Sequence, residues 1–531
     1  MKRVNAIVGM MALGAIVAGA VNPYLPLWEH IPDGEPYVFE DPDNPGQYRV
    51  YIYGSHDSLE TEYCGKEQVV WSAPVDDLSD WRYDGVIFES KVDANGEALH
   101  DDDSGDVLFA PDVALVTGRD GTKTYYLYPN NQAGGRNGMI AKSDRPDGPF
   151  VVCNWDEENP QAADGVLGFD PAVFVDDNGR VYGYWGFGES WGAELDPATM
   201  ATVKPGTKAK HNLVSGVDQP GVGRFYEASS MRKIKDKYVL IYSRMTADDE
   251  FGLPRSNYTL AYAYANHPLG PFTYGGTIID GRGRTTLPDG TTVPTAHPNG
   301  NTHGSICQIG DQWWVFYHRQ SGTDEYSRQA MVAPIDVQVT TGLKGKVKIS
   351  EAEYTSEGFD IEGLELDNSY PAAIACYYVG PSAAWEEWPN YKFSGSYVQP
   401  TRYYGDPDEA PSDIELMSNP VVNNTAGSTV GYKYFNFAIA PADEMTLMMA
   451  IKPLGHEATV TVLAGAPTIE QGGVKLGEVK IAATDPQTPI IKYAQMNGFS
   501  ALEGKQPIFF IFDSPVKGES LCDFFSFGFQ E

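Results

Sequence analysis

From residue 36 to about 350 the chain repeats one short pattern: four to six apolar or aromatic residues, then a cluster of Gly, Asp, Asn or Pro. "RVYIYGSHD", "TKTYYLYPNN", "RVYGYWGFG", "DKYVLIYSR" and "QWWVFYHRQ" all follow it. Such runs open at turns like Asp177-Asn178-Gly179 and Gly310-Asp311, which are hairpin signals. Recurrence at wide spacing predicts a series of small antiparallel sheets rather than one sandwich. A second repeat agrees. "SDRPDGPF" (143–150) and "ANHPLGPF" (265–272) share a Pro-x-Gly-Pro-Phe core, as one blade-to-blade linker would if reused. Arranging such sheets around an axis protects most of their edges, which predicts a β-propeller.

Beyond about residue 350 the texture changes. "SEAEYTSEGFDIEGLELDNSY" reads as a linker, and alternating runs such as "MTLMMAIKP", "ATVTVLAG" and "QPIFFIFD" follow. Regular strand spacing with polar turns predicts a β-sandwich. The expected order is a leader at 1–20, a propeller at 21–350, a linker at 351–370 and a jelly-roll-like sandwich at 371–531. A chain of 531 residues is too long for one core, which fits that division.

Charge narrows the partners. Seventy-two Asp and Glu against 38 Lys and Arg give a formal charge of −34, a field that repels phosphate backbones and anionic lipid. Nucleic acid and membrane surfaces are therefore poor partners, and a neutral oligo- or polysaccharide is the natural one. Lys2 and Arg3, a short apolar stretch and Ala18-Gly19-Ala20 form a secretory signal pattern. The apolar run falls short of the roughly 20 residues a bilayer requires. Cleavage after Ala20 and a secreted or periplasmic location are expected. Five cysteines without a Cys-x-x-Cys or a Cys/His cluster support neither zinc nor redox chemistry. Buried free thiols are expected, with Cys376–Cys522 as the one pairing left open.

Three acids stand where strands are predicted to begin: Asp33 in "PDGEPYVF", Asp170 in "GFDPAVF" and Glu227 in "RFYEASS". A propeller runs the inner strand of each blade along its central channel, so acids at equivalent strand starts converge at one mouth. Any one of them alone reads equally well as a turn cap or a solvated side chain. Together they suit glycosidic hydrolysis, which needs a carboxylic acid to protonate the leaving oxygen and a carboxylate to activate water or attack the sugar. Glu227, beside Phe225 and Tyr226, suits the acid, because burial and a nearby negative charge such as Asp170 raise a carboxyl pKa. Asp33 would stay ionised.

The chain resembles glycoside hydrolase family 43 over about residues 21–350. The resemblance rests on "PDGEPYVF", "VVWSAPVDDLSDWRYDGVIF", "LFAPDV", "DPAVFVDDNGRVYGYWG", "YEASSMRKIKDKYVLIYS" and "NGNTHGSICQIGDQWWVFYHR", in that order. It implies a five-bladed propeller acting by inversion, usually on α-L-arabinofuranosides or β-D-xylosides, with galactofuranosides and galactans also in the family. It also implies Asp33 as general base, Asp170 as the acid that tunes its partner and Glu227 as general acid. The family usually has Asp-Pro at the base, whereas this chain has Asp33-Gly34-Glu35-Pro36, so Glu35 stays open as the alternative base. Arg328 resembles an arginine lining the sugar pocket, where its fork of donors could grip ring hydroxyls. His303 resembles a histidine near the propeller axis, in some members beside an ion. No cofactor is required, with room left for a structural calcium. Phe109 is a candidate sugar platform and Trp81 a core residue; His56 and Asp57 are expected to rim the pocket. The C-terminal region resembles family 6-type carbohydrate-binding modules, with Trp385, Trp388, Tyr403 and Tyr404 as candidate stacking residues. A merely supporting domain is the other reading of that region, and a non-catalytic sugar-binding propeller the other reading of the whole.

Overall fold

The computed structural model describes residues 21–297, 300–382, 392–404, 407–410, 419–440 and 442–531. Five antiparallel sheets follow in chain order. Blade 1 is Glu35–Glu40, Tyr48–Tyr53, Glu67–Pro74 and Arg82–Glu89; blade 2 is Asp112–Thr117, Lys123–Tyr128, Ala141–Ser143 and Val151–Val152. Blade 3 is Ala172–Val175, Val181–Trp185, Trp191–Leu195 and Lys210–His211; blade 4 is Phe225–Ile234, Lys237–Arg244, Thr259–Ala265 and Thr273–Asp280. Blade 5 pairs Ser305–Ile309, Gln312–Gln320 and Arg328–Ile335. The N-terminal segment lies along its last strand. Asn22 brackets Val332 there, donating from Nδ2 to its carbonyl at 2.7 Å and accepting from its N–H at 2.9 Å.

The continuous apolar runs have a packing cause. Alternate residues of one strand enter two different cores, because side chains leave a strand on opposite faces. In blade 1, Val50 and Ile52 pack with blade 5, whereas Tyr51 and Tyr53 pack with blade 2. In blade 4, Leu240 and Tyr242 face blade 3, whereas Val239 and Ile241 face blade 5. A sheet covered on both faces needs apolar residues at successive positions, so polar alternation is lost. Trp81 packs against this framework as expected, its ring 4.8 Å from that of Tyr24.

The Pro-x-Gly-Pro-Phe repeat differs from its expected place. Each copy joins the third and fourth strands within one blade, blades 2 and 4, and is not a blade-to-blade linker. Its phenylalanine explains the repetition: Phe150 packs with blade 1 and Phe272 with blade 3, anchoring an outer edge to the preceding blade.

The C-terminal domain is two facing sheets. One is ordered Tyr397–Val398, Val421–Val422, Cys522–Gln530, Glu444–Pro453, Ile490–Asn497, with Ser369–Pro371 also on Cys522–Gln530. The other is ordered Tyr377–Val379, Thr429–Asn436, Lys505–Asp513, Ala458–Ala464, Val474–Ile481. Phe510, Phe524 and Phe527 fill the space between them. The expected linker at 351–370 is packed rather than loose. Tyr354 is buried with blades 4 and 5, Phe359 stacks among Tyr24, Trp81 and Trp314, and Leu364 and Leu366 enter the sandwich core. Cys376 and Cys522 are both buried free thiols, so the open pairing is not made. Among the described residues no helix is long and apolar enough to cross a membrane.

Candidate active site

Side chains from all five blades meet at a cavity of about 500 Å³ whose lining includes Asp33, Phe109, Asp170, Glu227, His303 and Arg328. Local backbone geometry delivers the acids. Asp33 (φ 62°) and Asp170 (φ 50°) take the left-handed conformation just before inner strands, where a non-glycine residue is uncommon and held by its surroundings. Gly54 permits the turn at Asp33, since a Cβ there would stand 2.3 Å from the Pro32 carbonyl oxygen. Glu227 sits inside its strand, not ahead of it. The blade 4 ladder shifts register on both sides of it and Ala228 has φ 66°, a bulge that re-aims the side chain.

The three carboxyls have different environments. Asp33 is buried, which favours its proton, yet the Arg328 guanidinium and a hydrogen bond from Ser55 outweigh burial and hold it below the ordinary aspartate value. Arg328 Nη1 donates to Asp33 Oδ1 at 3.1 Å, and the Asp33 N–H donates to His318 Nδ1 at 3.2 Å. Burial keeps the His318 imidazole neutral, its pKa lowered to about 4. Asp170 is pushed up to about 6 by burial, with Asp33 adding to the rise and His303 opposing it. Asn130 Nδ2 and the Ala228 N–H donate to its two oxygens at 2.9 and 3.0 Å. Glu227 is raised well above the ordinary glutamate value, by burial first and then by the charges of Asp170 and Asp33. No donor among the described residues hydrogen-bonds its carboxyl.

The other expected residues divide. Phe109 starts an aromatic arc that continues through Phe169, Phe187 and Tyr226, with neighbouring ring centroids 5.1–5.9 Å apart. Arg328 lines the cavity, but its fork is already engaged: Nε and Nη2 donate to Asp57 at 2.9 and 2.7 Å. It orients the Asp33 carboxylate. Asp57 is thus an anchor beneath the pocket and not part of its rim. His56 is also away from the rim, buried between Glu29 and Glu67 at 3.0 Å each, and these carboxylates raise its pKa to about 10 against the effect of burial. Glu35 does not line the cavity; it is buried and paired with Arg232 at 2.7 Å in the contact between blades 1 and 4. Phe225 turns into the core and leaves Tyr226 to face the pocket.

His303 Nδ1 stands 3.6 Å from Asp170, and its buried Nε2 has no partner. Calcium takes six to eight oxygen ligands. A ring nitrogen does not match that preference, and among the described residues no group of three or more His, Cys, Asp or Glu could hold a metal. In the sandwich, Tyr403 packs edge-on against Trp28, and the Tyr404 hydroxyl donates to the Asp57 carbonyl at 3.2 Å. Tyr403 serves the domain contact, whereas the Tyr404 ring stays exposed while its hydroxyl bonds across that contact. Trp385 and Trp388 lie outside the described residues. Pattern reading missed Tyr63, Phe169, Phe187, Asn257, Asn301 and Glu325 in the pocket. Phe169 had a signal as the neighbour of Asp170; the rest sit in loops without periodicity.

The family model described as "Glycosyl hydrolases family 43" matches residues 39–339, more than half of the chain. The chain belongs to glycosyl hydrolase family 43. A "Xylosidase/arabinosidase" of Thermoclostridium stercorarium is 34% identical over 450 residues, covering 78% of this chain and 82% of that protein. "Xylosidase/arabinosidase 43A" of Humicola insolens is 31% identical over 317 residues, covering 51% of this chain and 84% of that one. A solved family 43 structure, an arabinoxylan arabinofuranohydrolase from Bacillus subtilis in complex with cellotetraose, aligns over 96% of this chain and 97% of its own at 20% identity and TM-score 0.45.

Proposed function

We propose that this family 43 member hydrolyses glycosidic bonds of arabinofuranosyl or xylosyl units with inversion. One observation carries the reading: a single cavity holds one buried carboxyl biased towards its anion and another biased towards its acid. Asp33, anchored by Arg328 and Ser55, is the general base that takes a proton from water. Glu227 is the general acid that protonates the leaving oxygen. Asp170 keeps Glu227 protonated through its nearby charge. The aromatic arc from Phe109 to Tyr226 offers faces to a sugar ring. The pentose assignment is supported by the names of the Thermoclostridium and Humicola relatives. Export with removal of the leader at 1–20 belongs to the same proposal, and the acidic charge suits a neutral glycan.

The test is release of 4-nitrophenol from α-L-arabinofuranoside and β-D-xyloside by wild type, Asp33→Asn and Glu227→Gln. Turnover by wild type with loss in both variants supports the reading; an inert wild type that still binds xylo-oligosaccharide makes the protein a lectin. Proton NMR of the first-formed anomer distinguishes inversion from retention.

A further inference from the structure

A fourth buried carboxylate lines the same cavity and has no part in the acid–base scheme. Glu325 lies in the turn between the last two strands of blade 5 and accepts a hydrogen bond from the Tyr63 hydroxyl. Tyr63 also lines the cavity, and the Arg328 guanidinium lies over its ring, 4.9 Å from the centroid. Carboxylates are seldom buried without a partner or a task. Here Tyr63 is one of the partners of Glu325, and the carboxylate lies at the cavity wall.

The two loops that carry this pair are held from outside the propeller. The Gly322 N–H, at the start of the Glu325 turn, donates to the Val398 carbonyl at 2.7 Å. Arg402 Nη2 donates to the Ser327 hydroxyl and to the Tyr326 carbonyl, the latter at 3.2 Å, at the end of the same turn. Arg402 Nη1 stands 3.6 Å from Glu60, in the loop leading to Tyr63. One stretch of the C-terminal domain, 398–402, thus touches both loops.

We propose that Glu325, oriented by Tyr63, recognises sugar hydroxyls in the catalytic cavity, and that Arg402 of the C-terminal domain is the positioning residue for that pair. This rests on the glycosidase reading above. A buried carboxylate accepts hydroxyls through charge-assisted bonds, and a sugar lacking the matching hydroxyl leaves it unsatisfied, which is how a polar site discriminates. Furanose and pyranose pentoses present their hydroxyls at different places, so the pair selects between them. Glu325 also acts on the acid. The charges facing Glu227 are Asp170, Asp33, Arg328 and Glu325, and Glu325 adds to the rise that Arg328 opposes. Tyr63 hydrogen-bonds Glu325, whose charge also acts on Tyr226 and Tyr326, alongside Glu227 and Arg255 at the first ring and Asp324 and Glu62 at the second.

The experiment measures kcat, KM and the pH profile of kcat/KM on both 4-nitrophenyl pentosides for wild type, Glu325→Gln, Tyr63→Phe and Arg402→Gln. Glu325→Gln keeps the shape and removes the charge. It should raise KM about tenfold on the preferred pentoside, the loss expected for one charge-assisted bond. It should also move the alkaline limb to lower pH, because Glu227 loses a charge that keeps it protonated. Tyr63→Phe and Arg402→Gln should raise KM less, and adding Arg402→Gln to Glu325→Gln should change little further. Folded Glu325→Gln with wild-type KM and an unmoved alkaline limb overturns the proposal. Should that variant fail to fold, wild-type KM values in Tyr63→Phe overturn it instead. If wild type cleaves neither pentoside, the glycosidase reading falls first; if wild type turns over and Glu325→Gln matches it, only this inference falls.

Discussion

The two domains bury different chemistry. Between residue 369 and the end, the buried polar side chains among the described residues are serines, threonines and asparagines, with no charge among them. The propeller buries Asp33, Glu35, Asp57, Asp112, Asp170, Glu227 and Arg328. A buried charge is costly unless paired, and a buried carboxyl that cannot be paired keeps its proton. The sandwich core is built on phenylalanine packing. The propeller accepts electrostatic cost in the cavity, where Asp170 and Glu227 are held away from their ordinary ionisation. Even its structural charges lean this way: Asp112 ties three inner strands through the Tyr37 hydroxyl and the Val173 N–H, at 2.7 and 2.5 Å, and burial and Glu35 raise its pKa to about 7.

Substitutions can break this contrast in descending order of effect. Asp33→Asn and Glu227→Gln should each lower kcat/KM by about 10²–10⁴-fold, the usual weight of a general acid or base, with the fold intact by circular dichroism. Phe510→Ala, in the sandwich core, should cost about 3–5 kcal/mol in urea unfolding and leave kcat of the folded enzyme unchanged. Asp170→Asn should do the reverse. Because the folded pKa of Asp170 lies above its ordinary value, its ionisation opposes folding once the pH exceeds that ordinary value. The variant should gain about 1–3 kcal/mol near neutral pH and nothing below about pH 4, where both states hold the proton, while losing activity. Tyr404→Phe removes one hydrogen bond across the domain contact and should cost about 1 kcal/mol or less.

Much of this was legible in sequence, for identifiable reasons. Runs such as "YVLIYS" predicted strands, since a blade covered on both faces leaves its middle strands apolar throughout. Asp33, Asp170 and Glu227 were found because each stands against a strand whose pattern is readable, and all three reach the cavity. Register and strand length favour Asp33 over Glu35 without closing the alternative; the two are two residues apart, and the left-handed turn at Asp33 turns that one to the pocket. Arg328 was read as a sugar ligand because its partner Asp57, 271 residues earlier, could not be paired with it by spacing. Tyr403 is expected as a stacking residue because an aromatic in a polar loop looks exposed until the ring it docks on, Trp28, is known. Tyr63 and Glu325 had no signal, being joined only by the fold.

The central claim is that burial and neighbouring charge hold Glu227 as an acid in the same cavity that holds Asp33 as an anion. Infrared difference spectroscopy of protein labelled with ¹³C at glutamate carboxyls, titrated with and without Glu227→Gln, measures this directly. A protonated glutamate signal that persists well above the ordinary value of 4.5 and is absent in the variant is the predicted result. A Glu227 signal that titrates at that ordinary value would contradict the account.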